Sequence, residues 1–420
     1  MIDACERALS SAPPELLWGD EAATGSRLSS LRREWSSLHL ASGASPFLAW
    51  DWLYFWWRRI APDAQPQVLL ARDGANRLVG LLPLYERRER WAGIEGTRLG
   101  LMGDQHVGSD FMDAIALPGH EAAVRAHFVD RLARMAGRVD VVELLGLEKG
   151  NALGEALLSR LAGRLLVAER EPSFTCPLIE LEGDYLSFLR AKGRADNLAR
   201  RKKWLLAQPG FALERAAKPS EVAPALVEFF RLHALRWEKD GGSQGIESAA
   251  VRAFHRDACA ALAESGRLRL HTLELQGRAL ASVYGIVDRD RFYYYQSGYD
   301  PAWARRSVGL VLLGETLAEA FAEQRVAFEF LRGSEPYKFE WANAKREIEA
   351  VRLVARTPAG AAFVAARDGR AKLGAALRRL LGERAWQGVR RVRRRVSSRG
   401  SPPQGAAGGA AFGRSIRLGP

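Results

Sequence analysis

Two short apolar runs, far apart in the chain, constrain the fold more than any other feature. "VDVVELLG" (139–146) and "VAFEFLRG" (326–333) are both valine-led, and both run through an acid and an apolar pair to a glycine, with Arg332 interposed in the second. Each has the length and continuity of a buried strand. The elements before them also repeat. "QVLLARDGANRLVGLLPLYERRER" reads as a hairpin turning on Asp73 to Asn76, and a helix from Glu121 to Ala136 follows. In the second half, "RLRLHTLELQGRALASVYGIVDRDRFYYYQSGY" turns at Gln276-Gly277-Arg278, and a helix starts near Val308. Two copies of one α/β unit are expected, each a mixed central sheet flanked by helices. The division is a flexible leader (1–26), a first unit (27–168), a second unit (169–357) and a basic tail (358–420), with the units joined around Glu169 to Pro177.

Composition removes several alternatives. Hydrophobic residues make up 47% and charged residues 26% of the 420-residue chain, as in ordinary globular proteins. No apolar run is long enough for a membrane helix, and the N-terminus lacks a signal core. Three scattered cysteines, Cys5, Cys176 and Cys259, suit neither a disulfide framework nor a zinc site, so no metal and a cytoplasmic location are expected. The net charge of +13 is concentrated at one end. From Val364 onward 14 Lys/Arg face only Asp368 and Glu383, which leaves the body nearly neutral. The amphipathic basic stretch "AKLGAALRRLLGERAWQGVRRVRRRV" suits either solvent or an anionic membrane face, the latter a peripheral position at the inner membrane.

Local patterns sharpen the picture. In "SPFLAWDWLYFWWRR", Ser45 can cap and Pro46 can open a helix. Its seven aromatics include Trp50, Tyr54 and Trp57 at helical spacing, which favours core packing over cofactor stacking. Arg190 to Lys203 holds seven Lys/Arg against one acid, either a solvated face or a docking surface for an anion. Around His106, Asp110 and Asp113 a satisfied loop histidine and turn acids are the plainer reading. In "GYDPAWARRSVGLVLL", a tyrosine-rich strand ends at a turn that leads into a helix. Arg305, Arg306 and the backbone of Ser307, Val308 and Gly309 at that helix start suit a pyrophosphate.

The order of hairpin, tyrosine-rich strand, "GYDPAWARRSVGLVLL", helix, apolar strand and "GSEPYKFEW" resembles the GNAT-like acetyltransferases of the CelD (cellulose-biosynthesis) type. These are related to the FemAB peptidoglycan aminoacyltransferases, which also pair two GNAT-like units. The likeness spans roughly 45–354 and is strongest from Trp237 to Trp341; "SPFLAWDWLYFWW" and "GSDFMDAIA" resemble first-unit features. Of the family's Arg/Gln-x-x-Gly-x-Gly/Ala loop, Arg306 and Gly309 match, and Val311 stands at the last small position.

The resemblance implies acyl transfer from acetyl-CoA, as co-substrate, to an amine on a small molecule or saccharide. A splayed strand would hold the acyl carbonyl. An amine of pKa near 10.4 is only about one part in 10³ neutral at pH 7, a deficit of roughly 4–5 kcal/mol, so a base helps. Glu335 is the first choice and Glu340 the second. Tyr337 or Tyr299 would protonate the thiolate, and Lys338 would balance negative charge. Trp237, His233, Tyr294 and Asp110 are expected to contact substrate. Against this stands a scaffold reading, in which Glu335 and Lys338 pair across a turn and Tyr337, Phe339 and Trp341 alternate along a strand. An aminoacyl-tRNA donor held by the Arg190–Lys203 patch, or a non-catalytic tether, are the alternatives; nucleic acid enters only with the first.

Overall fold

Both valine-led runs are strands, and each lies beside the strand that the repeat assigns to it. The computed structural model describes residues 16–17, 22–23, 25–104, 106–161, 163–164, 167–238, 246, 248–366 and 368–369. In the first half α1 (Arg32–Ser42) and α2 (Trp50–Arg59) precede the hairpins β1 (Val68–Asp73)–β2 (Leu78–Leu82) and β3 (Leu84–Trp91)–β4 (Ile94–Leu101). Then come α3 (Glu121–Met135), β5 (Val141–Glu148), α4 (Ala152–Leu161) and the long β6 (Val167–Glu180). The second half begins with α5 (Tyr185–Ala191), α6 (Ala195–Leu206), β7 (Phe211–Ala216), α7 (Pro219–Glu238) and α8 (Ala249–Glu264). It continues through β8 (Leu268–Leu275), β9 (Arg278–Asp288), β10 (Arg291–Tyr299), α9 (Val308–Ala322), β11 (Ala327–Glu329), α10 (Pro336–Trp341) and β12 (Ala344–Val354).

The duplication is visible in the pairing. β3 and β4 are antiparallel, and β4 then runs parallel to β5, with Arg98 to Gly100 opposite Val141 to Glu143. β9 and β10 are likewise antiparallel, and β10 runs parallel to β11, with Arg291 to Tyr293 opposite Ala327 to Glu329. A crossover helix, α3 or α9, separates the parallel strands as chain geometry demands. The expected joint at Glu169 to Pro177 is part of β6, which lies inside the sheet. It pairs with β11 on one side and β12 on the other, and β12 pairs with β5. One sheet therefore crosses both halves in the order β7-β8-β9-β10-β11-β6-β12-β5-β4-β3, edged by Gln65–Pro66.

The aromatic helix is core, and it holds the halves together. Indole N–H groups of Trp50, Trp52 and Trp56 donate to Leu28 O, Ser109 Oγ and Asp104 O at 2.9, 3.0 and 2.7 Å. Buried Trp52 meets Phe254 of α8 and Tyr295 of β10 edge-on, with centroids 4.8 and 5.4 Å apart. Such rings each bury 150–250 Å² and satisfy their polar tips, which explains their density on one short helix.

One local expectation fails. Tyr337, Phe339 and Trp341 do not alternate along a strand, because Pro336 to Trp341 is a short helix. Pro336 at its first turn has the φ a helix needs and gives up no bond there. Trp341, one turn beyond Tyr337, is buried, while Phe339 is 46% exposed. The basic tail from Ala371 onward and most of the leader lie outside the described residues. Among the described residues no helix is long and apolar enough to cross a membrane.

Candidate active site

β10 and β11 share a ladder for only three residue pairs. Beyond Tyr293 and Glu329 they part: β10 continues to Tyr299, whereas Phe330 N–H turns to Pro177 O of β6 at 3.0 Å. The register between β9 and β10 also shifts here, with Tyr284 opposite Gln296 and Gly285 opposite Tyr294, so Tyr295 is the extra residue of a bulge. A bulge leaves the extra residue's backbone unpaired in the ladder, and it re-aims neighbouring side chains. Tyr295 hydroxyl reaches across to donate to Val107 O of the first half.

The first half contains the same divergence after Gly100 and Glu143, but its own loop fills it. Met112 forms a parallel bridge with Leu147 and donates its N–H to Gly146 O at 2.8 Å. In the second half the gap is bordered by side chains instead, with the Tyr294 and Phe330 rings 5.7 Å apart. This difference restricts the candidate site to one per chain.

At the end of β10, Asp300 caps the 3₁₀ turn Pro301–Arg306 and is held by Arg278 at 2.6 Å. Ser307 then takes a left-handed conformation (φ 56°), and α9 begins without a side-chain cap. Its first N–H groups therefore lack the usual partner, and its dipole favours an anion there. Arg305 and Arg306 are exposed at this end. Arg306 lies over the Trp204 ring at 3.8 Å, and Arg201 donates to Ser307 Oγ. The basic helix α6 thus lies beside the loop, so its arginines add to the same positive surface. Sequence proximity gave no hint of this, because Arg201 and Ser307 are over a hundred positions apart.

The residues expected to meet substrate form two groups. Arg236, singled out by no motif, is the centre of the first. Its guanidinium donates to Ser297 Oγ at 2.7 Å and to Ser297 O at 3.3 Å. It lies 5.2, 5.8 and 5.7 Å from the Trp237, Tyr299 and Tyr337 ring centres. Tyr337 lies against Arg236 and Tyr294, and burial pushes its phenol pKa up while Arg236 opposes the rise. The His233 ring lies tilted between those of Phe229 and Trp237; burial and Arg236 push its pKa down to about 4, so it is neutral near pH 7. The one available signal for Arg236 was its place next to Trp237, on the helix turn after His233.

The second group is the turn from Leu331 to Lys338. Burial would raise the Glu335 pKa, but Lys338 and Arg236 outweigh it, leaving the carboxyl below its ordinary value. Lys338 is 6% exposed; its ammonium pairs with Glu335 at 3.1 Å and donates to Arg332 O at 2.9 Å. A Cβ on Gly333 would fall 2.3 Å from Lys338 Nζ, so only glycine admits this pairing. Lys338 is thus a strut of the turn. Glu340 is exposed and bound to Arg194 at 2.6 Å. Asp110, fully buried, accepts from the Arg332 N–H at 2.8 Å and from its Nε. Its carboxylate is occupied in tying the first-half loop to the end of β11, which differs from the substrate contact expected of it. The turn carries strain, with Leu331 at φ 58°, and these bonds over-determine it.

Residues 191–339, from α6 to α10, match the family model described as an acetyltransferase (GNAT) domain. No curated protein sequence matches the chain. A crystal structure of FemX superposes with a TM-score of 0.54 at 9% identity, covering 76% of this chain and 95% of that one. A conserved protein of unknown function from Bacteroides thetaiotaomicron gives a TM-score of 0.50 at 14% identity, with 79% and 100% covered. At such identities the likeness concerns fold alone. The splayed parallel strands, the uncapped helix start and the matched domain coincide, and the chain has the fold of a GNAT-domain acetyltransferase.

Proposed function

We propose that this protein is an N-acyltransferase that moves an acyl group from CoA to an amine, with one working site in the second half. The observation that carries this is the divergence of β10 from β11 directly before the uncapped start of α9. The diphosphate of CoA would lie against the N–H groups of Val308 and Gly309, flanked by Arg305, Arg306 and Arg201. The thioester would lie between the parted strands, its carbonyl facing the unpaired backbone of the bulge at Tyr295.

The neutral amine nitrogen attacks the thioester carbon, a C–N bond forms as the C–S bond breaks, and the proton lost by nitrogen replaces the one that the acid gives to sulfur. Tyr337, a phenol whose pKa burial raises further, would give its proton to the departing sulfur, with Tyr299 nearby. Glu335 is ionised but held below its ordinary pKa, so it is a poor base for an ammonium of pKa near 10.4. Its charge suits orienting the acceptor ammonium, and a sugar amine, which titrates lower, asks less of the base. Arg236 would offer its remaining N–H groups to the developing oxyanion or to an acidic acceptor group. A saccharide acceptor in envelope or exopolysaccharide synthesis, as in the CelD type, is the acceptor reading we favour, and a basic tail resting on an anionic membrane would suit it.

A second reading replaces CoA by aminoacyl-tRNA. The superposition on FemX over nearly its whole length and the basic helix α6 beside the loop favour it. Isothermal titration separates the two. Acetyl-CoA should bind the wild-type protein, and Arg306→Ala should weaken binding by about tenfold. No binding at about millimolar acetyl-CoA, together with tRNA binding that weakens steeply with salt, would establish the second reading instead.

A further inference from the structure

At the other end of β10, remote in sequence from the donor loop, a cavity of about 460 Å³ opens between the halves. Its walls come from residues 42–48 and 111–116, the first turn of α3, the start of α4, the hairpin tip 289–293 and Arg346. The acyl-transfer reading uses none of these. The volume falls within the range of small-ligand sites, of roughly 300–1,000 Å³.

The lining is strongly polar yet balanced in charge. Four arginines, Arg125, Arg289, Arg291 and Arg346, face four acids, Asp113, Glu121, Glu148 and Asp290. Most are already engaged. Arg346 binds Glu148 through two bonds of 2.8 Å, Arg291 binds Glu329 at 2.7 Å, and Arg289 binds Asp288 at 2.9 Å. Asp113 accepts from Asn151 at 2.7 Å and from the Ala114 N–H at 2.6 Å. Arg125 is different. It is half-buried, and among the described residues its guanidinium has no hydrogen bond or ion pair; only its field reaches Asp113. On the hairpin wall the Asp290 carboxylate is also without a partner among the described residues.

These facts narrow the ligand. An anion would meet four carboxylates with one uncommitted arginine to hold it, and a cation would meet four guanidinium groups. An apolar ligand would strand all these donors and acceptors without water. A neutral polyol answers both kinds of group, because each hydroxyl donates and accepts. Leu48, Val124 and Leu153 supply an apolar floor for its C–H face.

We propose that this cavity binds an uncharged saccharide of about one or two pyranose rings, with Arg125 donating to ring hydroxyls and Asp290 accepting from them. The site is separate from the donor loop, and the proposal stands whether the donor is CoA or an aminoacyl-tRNA. Because both halves contribute walls, the sugar would also bridge them.

Saturation-transfer NMR on the full-length protein with D-glucose and cellobiose tests this. At least one sugar should give a signal that Arg125→Ala and Asp290→Ala each weaken by about tenfold, while Arg306→Ala and added acetyl-CoA leave it unchanged. No signal from either sugar at about 20 mM would overturn the proposal, as would signals in both cavity variants equal to that of the wild type. Stronger retention of glucose 6-phosphate than of glucose would overturn its neutral character. A parallel acetyl-CoA titration reports separately on the donor reading.

Discussion

Gly298→Ala is a sharp test of how the candidate site is assembled. A Cβ at this position of β10 would lie 2.3 Å from His233 N, 2.6 Å from Leu232 C and 2.7 Å from His233 Cα. These are backbone atoms of α7, so no rotamer change relieves the clash. Against an ordinary contact of about 3.4 Å, the helix must retreat by roughly 1 Å. Arg236 rides on the next turn, and its 2.7 Å bond to Ser297 Oγ would stretch beyond hydrogen-bond range. Overpacking of this kind costs about 1–3 kcal/mol, and a lost bond to a charged group adds about 1.5–3 kcal/mol if it is not remade. We therefore expect Gly298→Ala to lose about 2–4 kcal/mol in urea unfolding followed by tryptophan fluorescence, which also reports on Trp237. Gly309→Ala is the contrast: its Cβ would meet Tyr299 at an ordinary 3.4 Å within a helix, where alanine gains about 0.5–1 kcal/mol over glycine. Equal stability of Gly298→Ala and wild type, within about 0.5 kcal/mol, would refute the close approach of α7 to β10.

Other outcomes follow from the same contacts. Arg332→Ala strands the fully buried Asp110 carboxylate and should cost about 3–5 kcal/mol, whereas the double variant with Asp110→Asn should recover part of that loss in the same unfolding assay. His255 is enclosed by the Trp52, Phe254 and Tyr295 rings, and burial pushes its pKa down to about 3. The unfolded chain protonates this histidine below about pH 6.5 and the folded chain does not, so stability is lost as pH falls from about 6.5 toward 3. Replacing it in His255→Leu should reduce the acid-side slope of stability by up to about 1.4 kcal/mol per pH unit, and an unchanged slope would contradict a neutral buried ring. Glu335→Gln should slow acyl transfer less than about tenfold if the carboxylate orients the acceptor; a loss of 10³ or more would restore it as the base.

Much of the fold was legible because it depends on local chemistry. The valine-led runs, the turn at Asp73 to Asn76 and the helix start at Val308 all follow from hydrophobic period and turn residues, and each was observed. The duplication was legible for the same reason, since both halves write the same order of periods. The helix at Pro336 to Trp341 was misread because a six-residue apolar alternation fits a strand as well as one helical face. Only the proline, helix-compatible at its first turn, argued the other way.

The candidate site was most directly legible where a single segment builds it. Arg305 to Gly309 could be named from sequence because a helix start supplies both the N–H groups and the neighbouring arginines. Arg236, Arg201 and the Asp110–Arg332 pair could not, since each acquires its role from a partner about sixty to more than two hundred positions away. Charge alone says that an arginine is present, but not whether it lies against a phosphate loop, a tyrosine cluster or a buried carboxylate. Sequence determined the two α/β units and the arginine-flanked helix start at which we propose a donor phosphate. The tertiary structure decided that one unit plugs its own strand divergence with Met112 while the other leaves it bordered by Tyr294, Tyr337 and Arg236, because that outcome depends on which loop fills the gap between two strands.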